Sequence, residues 1–174
     1  MTGKPELPGL DQLERTCEIL RALLEPLSEQ DALWKPAPGR FSIAEILEHL
    51  SHAEGHCFRL RIERIVSEDS PLLEEYDQDA IAAEGQYSGR DPEESFDHFE
   101  EQRESNVEYL GGLPESALDR EERHPQFGKV TAGEILAEWA FHDLGHIRQI
   151  SEIVRARKYY ARMGPFRSEY KINP

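Results

Sequence analysis

The sequence lacks long apolar runs and has few cysteines. No 18 consecutive residues are apolar, so the sequence predicts no membrane-spanning helix. The first ten residues, MTGKPELPGL, lack the apolar core of a signal peptide. The two cysteines, Cys17 and Cys57, are too few for a disulfide framework and are expected to be reduced. These absences together predict a cytoplasmic protein.

Positive charge is also scarce in this chain. Lys and Arg total 20 against 35 Asp and Glu, which gives a formal net charge of -15. A surface of this sign repels phosphate backbones and anionic lipid headgroups. We therefore expect neither nucleic acid nor a membrane among the partners.

The length and composition fit one globular domain. A chain of 174 residues can bury a substantial core without disulfides. Hydrophobic residues (38%) and charged residues (32%) occur in proportions typical of a folded protein, and no internal repeat is present. We expect a single domain over residues 1–174, with its core at about 9–155 and a basic, aromatic tail at 156–174.

Four segments show the apolar spacing of amphipathic helices, with hydrophobic residues three or four positions apart. The first segment runs from about Gly9 to Leu27. The second and fourth begin at the sequences SIAE (42–45) and TAGE (131–134), which are capping boxes. The third begins at DP (91–92), a cap followed by a first-turn proline.

No segment shows the sustained two-residue alternation that is typical of a strand. The four helical segments therefore predict an all-α fold, a four-helix bundle around one core. A long irregular stretch from about Ser67 to Arg90 separates the second and third helices, and connections of that length are often functional.

The seven histidines are unevenly placed along the chain. His142 and His146 lie four residues apart on the fourth helix, so their rings stand one turn apart on the same face, where a single ion can bridge them. A bare pair of this spacing also occurs where two histidines merely line a core. His98 and His124 have no supporting pattern and are expected on the surface or in loops.

A third histidine ligand is expected from the second helix, which offers three candidates. His49, His52 and His56 share one flank of that helix, and spacing alone does not choose among them. His49 is nearest to the capped start of the helix and adjoins the core residue Leu50, so we favour it, with His56 next. Three neutral imidazoles suit Zn²⁺, Ni²⁺ or a similar ion and leave a coordination position open to water or substrate.

Three further side chains are candidates for roles around such a site. Glu54 is a candidate catalytic or ligand-orienting carboxylate, or else a solvated helix charge. Gln149 lies near the line of His142 and His146 and is a candidate for contact with the substrate, or else a helix–helix hydrogen bond. Asp143 falls on the apolar side of its helix, where a carboxylate needs a partner, so we expect a structural role for it.

Three segments carry a resemblance to the DinB-like superfamily, which includes YfiT-type metal-dependent hydrolases and thiol S-transferases. They are FSIAEILEHLSHAE (41–54), PLLEEYDQDAIA (71–82) and HPQFGKVTAGEILAEWAFHDLGHIRQI (124–150). The last segment is the most specific, because it combines a Phe-Gly turn, a helix cap and the pattern H-x-x-x-H-x-x-Q ending at Gln149. The resemblance covers most of the chain.

The resemblance implies a fold, a metal site and a class of activity. It implies a four-helix bundle with long crossover connections, here at 67–90 and 112–130, and often a homodimer. It also implies that His49, His142 and His146 hold a divalent metal, often nickel or zinc. The implied activity acts on a small-molecule substrate, such as a low-molecular-weight thiol, and implies no DNA binding.

The residues leave the reaction open. Thiol S-transfer is the first hypothesis and metal-dependent hydrolysis the second, and the sequence shows no clear general base beyond Glu54. A metal-binding stress-response module without turnover belongs to a different class. A plain bundle with structural histidines is the remaining alternative.

Overall fold

The computed structural model describes residues 7–73, 75–172 and 174. Residues 1–6 of the N-terminal segment MTGKPELPGL therefore lie outside the described residues. Most of the described chain is helical, and four long helical segments form a bundle. Their bounds, with those of two short helices, are α1 (Leu10–Leu24), α2 (Glu29–Ala32), α3 (Ile43–Ala53), α4 (Arg59–Ser67), α5 (Gln78–Ala83), α6 (Pro92–Gly111) and α7 (Ala132–Val154). The predicted four-helix bundle is confirmed.

The predicted capping boxes define where two of the long helices begin. At the start of α3, Ser42 Oγ accepts a hydrogen bond from the Glu45 backbone N–H (3.2 Å), and the Glu45 carboxylate accepts one from the Ser42 N–H (2.9 Å). Thr131 and Glu134 make the same reciprocal pair at the start of α7 (3.1 and 2.8 Å). Each box satisfies two backbone donors that would otherwise lack partners.

A π-helical turn, Glu54–Phe58, joins α3 to α4, so the two helices form one continuous segment from residue 43 to residue 67. Its wider hydrogen-bonding pattern rotates the following side chains and directs Glu54, Cys57 and Phe58 into the interior. Gln102 of α6 donates to the Ser51 carbonyl oxygen just before this turn (3.0 Å). π-helical turns of this kind are frequent at functional sites.

Two crossovers connect the long helices. The first, between α4 and α6, contains the short helix α5. The second, between α6 and α7, contains a 3₁₀ turn (Glu115–Ala117) and a small antiparallel hairpin, β1 (Glu121–His124) and β2 (Gly128–Thr131), with Glu121 opposite Thr131. The sequence analysis missed this hairpin, because strands of four residues with charged side chains have no clear alternating pattern.

The bundle core lies between α1, the continuous α3–α4 segment, α6 and α7. The main packing pairs are α3 with α6, α1 with α7, α1 with α6 and α4 with α7. Its largest fully buried side chains include Trp139, Phe99, Leu136 and Ile46. Among the described helices, none is both long and apolar enough to span a bilayer.

Candidate metal centre

Three histidine side chains from two helices converge inside the bundle. His49 comes from α3, and His142 and His146 come from successive turns of α7. The Nε2 atom of His142 lies 3.0 Å from that of His49 and 3.2 Å from that of His146. The ligand atoms of all three lie within 4.8 Å of one another. We call these three residues the histidine cluster.

Burial keeps the histidine cluster uncharged. His49 is fully buried, and the other two rings are largely covered. Burial, together with the neighbouring imidazoles, lowers the pKa of His49 to about 3 and that of His142 to about 2. Burial also lowers the pKa of His146, against the opposing effect of its hydrogen bond to Gln149. Neutral imidazoles are the form that binds metal.

Hydrogen bonding alone does not account for the close approach of the three Nε2 atoms. A neutral imidazole nitrogen carries either one proton or one lone pair, so His142 Nε2 can serve only one of its two neighbours. Among the described residues, the buried Nδ1 of His142 has no hydrogen-bond partner either. A metal ion accepts all three lone pairs at once, and tetrahedral Zn–N bonds place ligand nitrogens about 3.3 Å apart. The residues therefore fit a divalent ion.

Two polar side chains orient rings of the histidine cluster. Gln149 Oε1 accepts a hydrogen bond from the Nδ1–H of His146 (3.0 Å), which leaves the Nε2 lone pair directed into the cluster. Nδ1 of His49 lies 3.4 Å from the hydroxyl of Tyr87, a residue of the first crossover that is almost completely buried. Both contacts are of the kind that holds metal-binding histidines in place.

His52 and His56 lie outside the histidine cluster. The Nδ1 atom of His52 is 2.9 Å from the Tyr76 hydroxyl, which lies 3.1 Å from the hydroxyl of Tyr87. The His56 ring stacks on that of His52, and its Nδ1 donates to the His52 carbonyl oxygen (3.1 Å). Of the three candidates on the continuous α3–α4 segment, the structure brings only His49 to the α7 pair.

A second polar cluster lies between α3, α6 and α7, and we call its three ionised members, Glu54, Arg103 and Asp143, the charged cluster. Arg103 donates to both oxygens of Glu54 (2.7 and 2.8 Å) and to both oxygens of Asp143 (2.6 and 3.1 Å). Its remaining donor bonds to the Leu13 carbonyl oxygen (3.1 Å). All three side chains are at most 3% exposed.

Glu54 and Asp143, both of which the sequence marks as candidates, belong to the charged cluster. The oxygens of Glu54 also accept hydrogen bonds from Asn106 (3.1 Å) and Trp139 (3.2 Å), so side chains of the protein already satisfy this carboxylate. Asp143 is held by Arg103 and by the Thr16 hydroxyl (2.6 Å). The prediction that Asp143 has an internal structural partner is confirmed, whereas the catalytic role of Glu54 stays a prediction.

A cavity of about 620 Å³ opens over the histidine cluster. His49 and His142 lie on its lining beside the apolar side chains of Ala53, Cys57 and Phe58. The Phe58 ring contacts that of His142, with centroids 5.1 Å apart. Burial raises the pKa of the Cys57 thiol to about 11, which disfavours a nucleophilic role for it.

The sequence analysis missed two residues near the centre. Tyr87 lies in the irregular stretch, where no periodic pattern marks a buried side chain. His124 was expected on the surface or in a loop, and this is wrong: it ends β1, is 6% exposed and lines the cavity next to Phe127. The hairpin turn buries it, and Gln126 N–H donates to its Nδ1 (3.1 Å). Tyr76 and Asp77 of the first crossover also line the cavity.

Comparison with known proteins agrees with this architecture. A protein of Oceanobacillus iheyensis, whose name proposes a metal-dependent hydrolase, is 18% identical over 150 residues, 86% of each chain. The solved structure of YfiT from Bacillus subtilis, described as a probable metal-dependent hydrolase with an unusual four-helix bundle topology, matches with a TM-score of 0.76, 20% identity and 85% coverage of each chain. A model of the DinB superfamily matches residues 12–150, and the chain therefore belongs to that superfamily.

Proposed function

We propose that this protein is a divalent-metal-dependent enzyme that acts on a small molecule, with His49, His142 and His146 as the metal ligands. One observation carries the proposal: three neutral imidazoles converge on one point, and two of them, His49 and His142, line a cavity. Three protein ligands leave room for a further ligand, which distinguishes a reactive site from a closed structural one. Zinc and nickel are the ions that we favour, because both accept imidazole ligands readily.

A divalent ion held there would act as a Lewis acid that lowers the pKa of a bound thiol or water. The chain supplies the surroundings of that ion. Gln149 and Tyr87 fix the rings of His146 and His49, and Phe58 shields the ring of His142 from water. We propose for Gln149 this positioning role, in place of direct contact with the substrate.

Thiol S-transfer is the reaction that we favour. A side chain that accepts a proton from the attacking water accelerates hydrolysis. The candidate from the sequence, Glu54, already accepts from Arg103, Asn106 and Trp139. A thiol loses its proton more readily than water does and depends less on such a base. We propose that Glu54 is a positioning residue which, through Arg103, holds α3, α6 and α7 together.

Metal-dependent hydrolysis is the second candidate, because the names of both relatives point to it. The homodimer is a further proposal from the family resemblance. Light scattering of the full chain in solution tests the homodimer independently of activity.

The two reactions separate in one set of assays on metal-free protein reloaded with zinc or nickel. The first assay follows conjugation of 2-mercaptoethanol to a chromogenic aryl chloride, and the second follows hydrolysis of a chromogenic ester. We expect metal-dependent conjugation that His142→Ala abolishes and that His56→Ala, a change outside the cluster, leaves intact. Ester hydrolysis alone would favour the second candidate, and stoichiometric metal with neither activity would indicate a binding module.

A further inference from the structure

The cavity over the histidine cluster has a strongly acidic lining. Glu75, Asp77 and Asp79 come from the first crossover and the start of α5, and Glu138 comes from α7, one turn before His142. All four acidic residues are exposed, whereas His49 in the same lining is buried and His142 is largely covered. The acidic residues therefore surround the space that a ligand of the metal centre has to occupy. We call them the acidic rim.

Nearby positive charge does not neutralise the acidic rim. Within the described part of the chain, neither Glu75, Asp79 nor Glu138 forms an ion pair, and Asp77 caps α5 by accepting from the Ala80 N–H (2.9 Å).

One positive side chain lines the cavity among the described residues, and it is Arg61, which is half-buried and has an interaction of its own. The third histidine of the cavity lining, His124, is kept neutral because burial lowers its pKa. Four carboxylates thus face one guanidinium around the cavity.

We infer that the centre selects a substrate that carries a positive charge, such as an amine, a few ångströms from the group that binds the metal. The inference rests on the proposed function, since it takes the histidine cluster as the metal site. Carboxylates within a Debye length of a ligand attract a cation and repel an anion, and the low-dielectric walls of a cavity strengthen the effect. Aromatic side chains of Tyr76 and Phe127 in the same lining offer further contact for an alkylammonium group.

The charge of the acidic rim also predicts which thiols bind poorly. Low-molecular-weight thiols that carry carboxylates meet repulsion at this entrance, whereas aminothiols do not. The physiological thiol or electrophile is accordingly expected to be cationic or to present its cationic end to the rim.

Three small thiols of similar size test the inference on cobalt-loaded protein. They are cysteamine, which is cationic, 2-mercaptoethanol, which is neutral, and 3-mercaptopropionate, which is anionic. Thiolate binding to cobalt is followed by its charge-transfer absorbance, so the readout is affinity and not turnover. We expect cysteamine to bind at least about tenfold more tightly than 3-mercaptopropionate at low salt, with a smaller ratio at high salt.

Matched variants separate the effect of the rim from the different acidities of the thiols. Asp79→Asn with Glu138→Gln removes two rim charges, and we expect the ratio of the two dissociation constants to fall by at least about threefold. Glu101→Gln with Glu104→Gln makes the same charge change on α6, away from the cavity, and we expect it to leave the ratio unchanged.

Several results would overturn the inference without touching the metal site. They are equal affinities in the wild type, an unchanged ratio in the rim variant, or no binding of cysteamine by protein that retains its cobalt. A rim variant that takes up cobalt more slowly but keeps the ratio of the two thiol dissociation constants would also overturn the inference. The acidic rim would then attract the metal ion and not the thiol. Failure to bind cobalt at all would instead contradict the proposed function.

Discussion

Two polar clusters are buried close together in this bundle, and they differ in whether the chain alone satisfies them. In the charged cluster, Arg103 uses all five of its N–H donors on Glu54, Asp143 and the Leu13 carbonyl oxygen. In the histidine cluster, Nε2 atoms face one another, and the Nδ1 of His142 is without a partner among the described residues. The chain satisfies the first cluster by itself, and we propose that a metal ion completes the second.

The charged cluster also influences its neighbour. Asp143 directly follows His142 in the sequence, and its charge favours a positive charge at His146. The positive charge of Arg103 has the opposite effect on His142, whose pKa it lowers. One cluster holds the helices in place, and we propose that the other uses that placement to bind a metal ion.

A substitution that breaks the charged cluster should have the largest effect. Arg103→Met leaves two buried carboxylates without their partner, and we expect it to lower the free energy of unfolding by about 3–5 kcal/mol. Urea unfolding of metal-free protein measures the change. The matched control is Arg21→Met, which removes an exposed ion pair with Glu100 and should cost less than about 1 kcal/mol. Equal losses in the two variants would show that the charged cluster does not hold the helices.

The next largest effect should be on zinc binding by the histidine cluster. We expect His142→Ala to weaken zinc binding by at least about 100-fold, because it removes a ligand, and to destabilise the metal-free protein less than Arg103→Met does. Competition with a chromophoric chelator measures the affinity. His56→Ala, on the same flank of the bundle but outside the cluster, should leave it unchanged. A zinc affinity that survives His142→Ala would contradict the ligand assignment.

Acid should destabilise the metal-free protein through the histidine cluster. Above about pH 6.5 these imidazoles are neutral in both the folded and the unfolded chain. Below that pH the unfolded chain takes up protons, whereas His49 and His142 stay neutral in the fold down to a pKa of about 3 and about 2. The free energy of unfolding therefore falls as the pH drops from about 6.5 toward 3, by up to about 1.4 kcal/mol per pH unit for each histidine.

Urea unfolding at pH 7.5 and pH 5.5 in the presence of a chelator measures this slope. His142→Gln, which lacks one of the titrating rings, should show a smaller difference between the two pH values. A wild-type stability that is the same at both would show that the cluster accepts protons within the fold.

The smallest expected effect concerns the residues that orient the rings. Gln149→Leu removes the acceptor for the Nδ1–H of His146, and we expect zinc affinity to fall about tenfold. Tyr87→Phe should cost less, because its contact with His49 is longer, at 3.4 Å. Gln86→Leu, an exposed change in the same crossover as Tyr87, serves as the control. Chelator competition again measures each affinity, and a loss in Gln86→Leu equal to that in Gln149→Leu would remove the positioning role.

Local signals in the sequence were sufficient for the helix starts and for two of the three proposed metal ligands. The capping boxes at Ser42 and Thr131 act over three residues, and the structure confirms both. The pairing of His142 with His146 follows from helix periodicity in the same way, since both rings belong to one helix. Such features depend on neighbours in the chain and are therefore readable from it.

The remaining features depend on packing between distant segments. Whether His49, His52 or His56 faces α7 depends on how the α3–α4 segment is rotated about its axis. The spacing of residues along the chain does not determine that rotation. The π-helical turn at 54–58 is supported from α6 by Gln102, and Arg103 reaches Glu54 across 49 positions of sequence. The burial of His124 depends on a hairpin of two short strands. None of these contacts has a local sequence signal.

The most direct test of the account is a cobalt titration of the metal-free wild-type protein, followed by absorbance and calorimetry. We expect saturation at one ion per chain, with the intense visible bands of four- or five-coordinate cobalt. A variant with alanine at His49, His142 and His146 should show neither, while it remains helical by circular dichroism. Absence of stoichiometric binding by the wild type, or the same binding by the triple variant, would contradict the claim that the histidine cluster is completed by a metal ion.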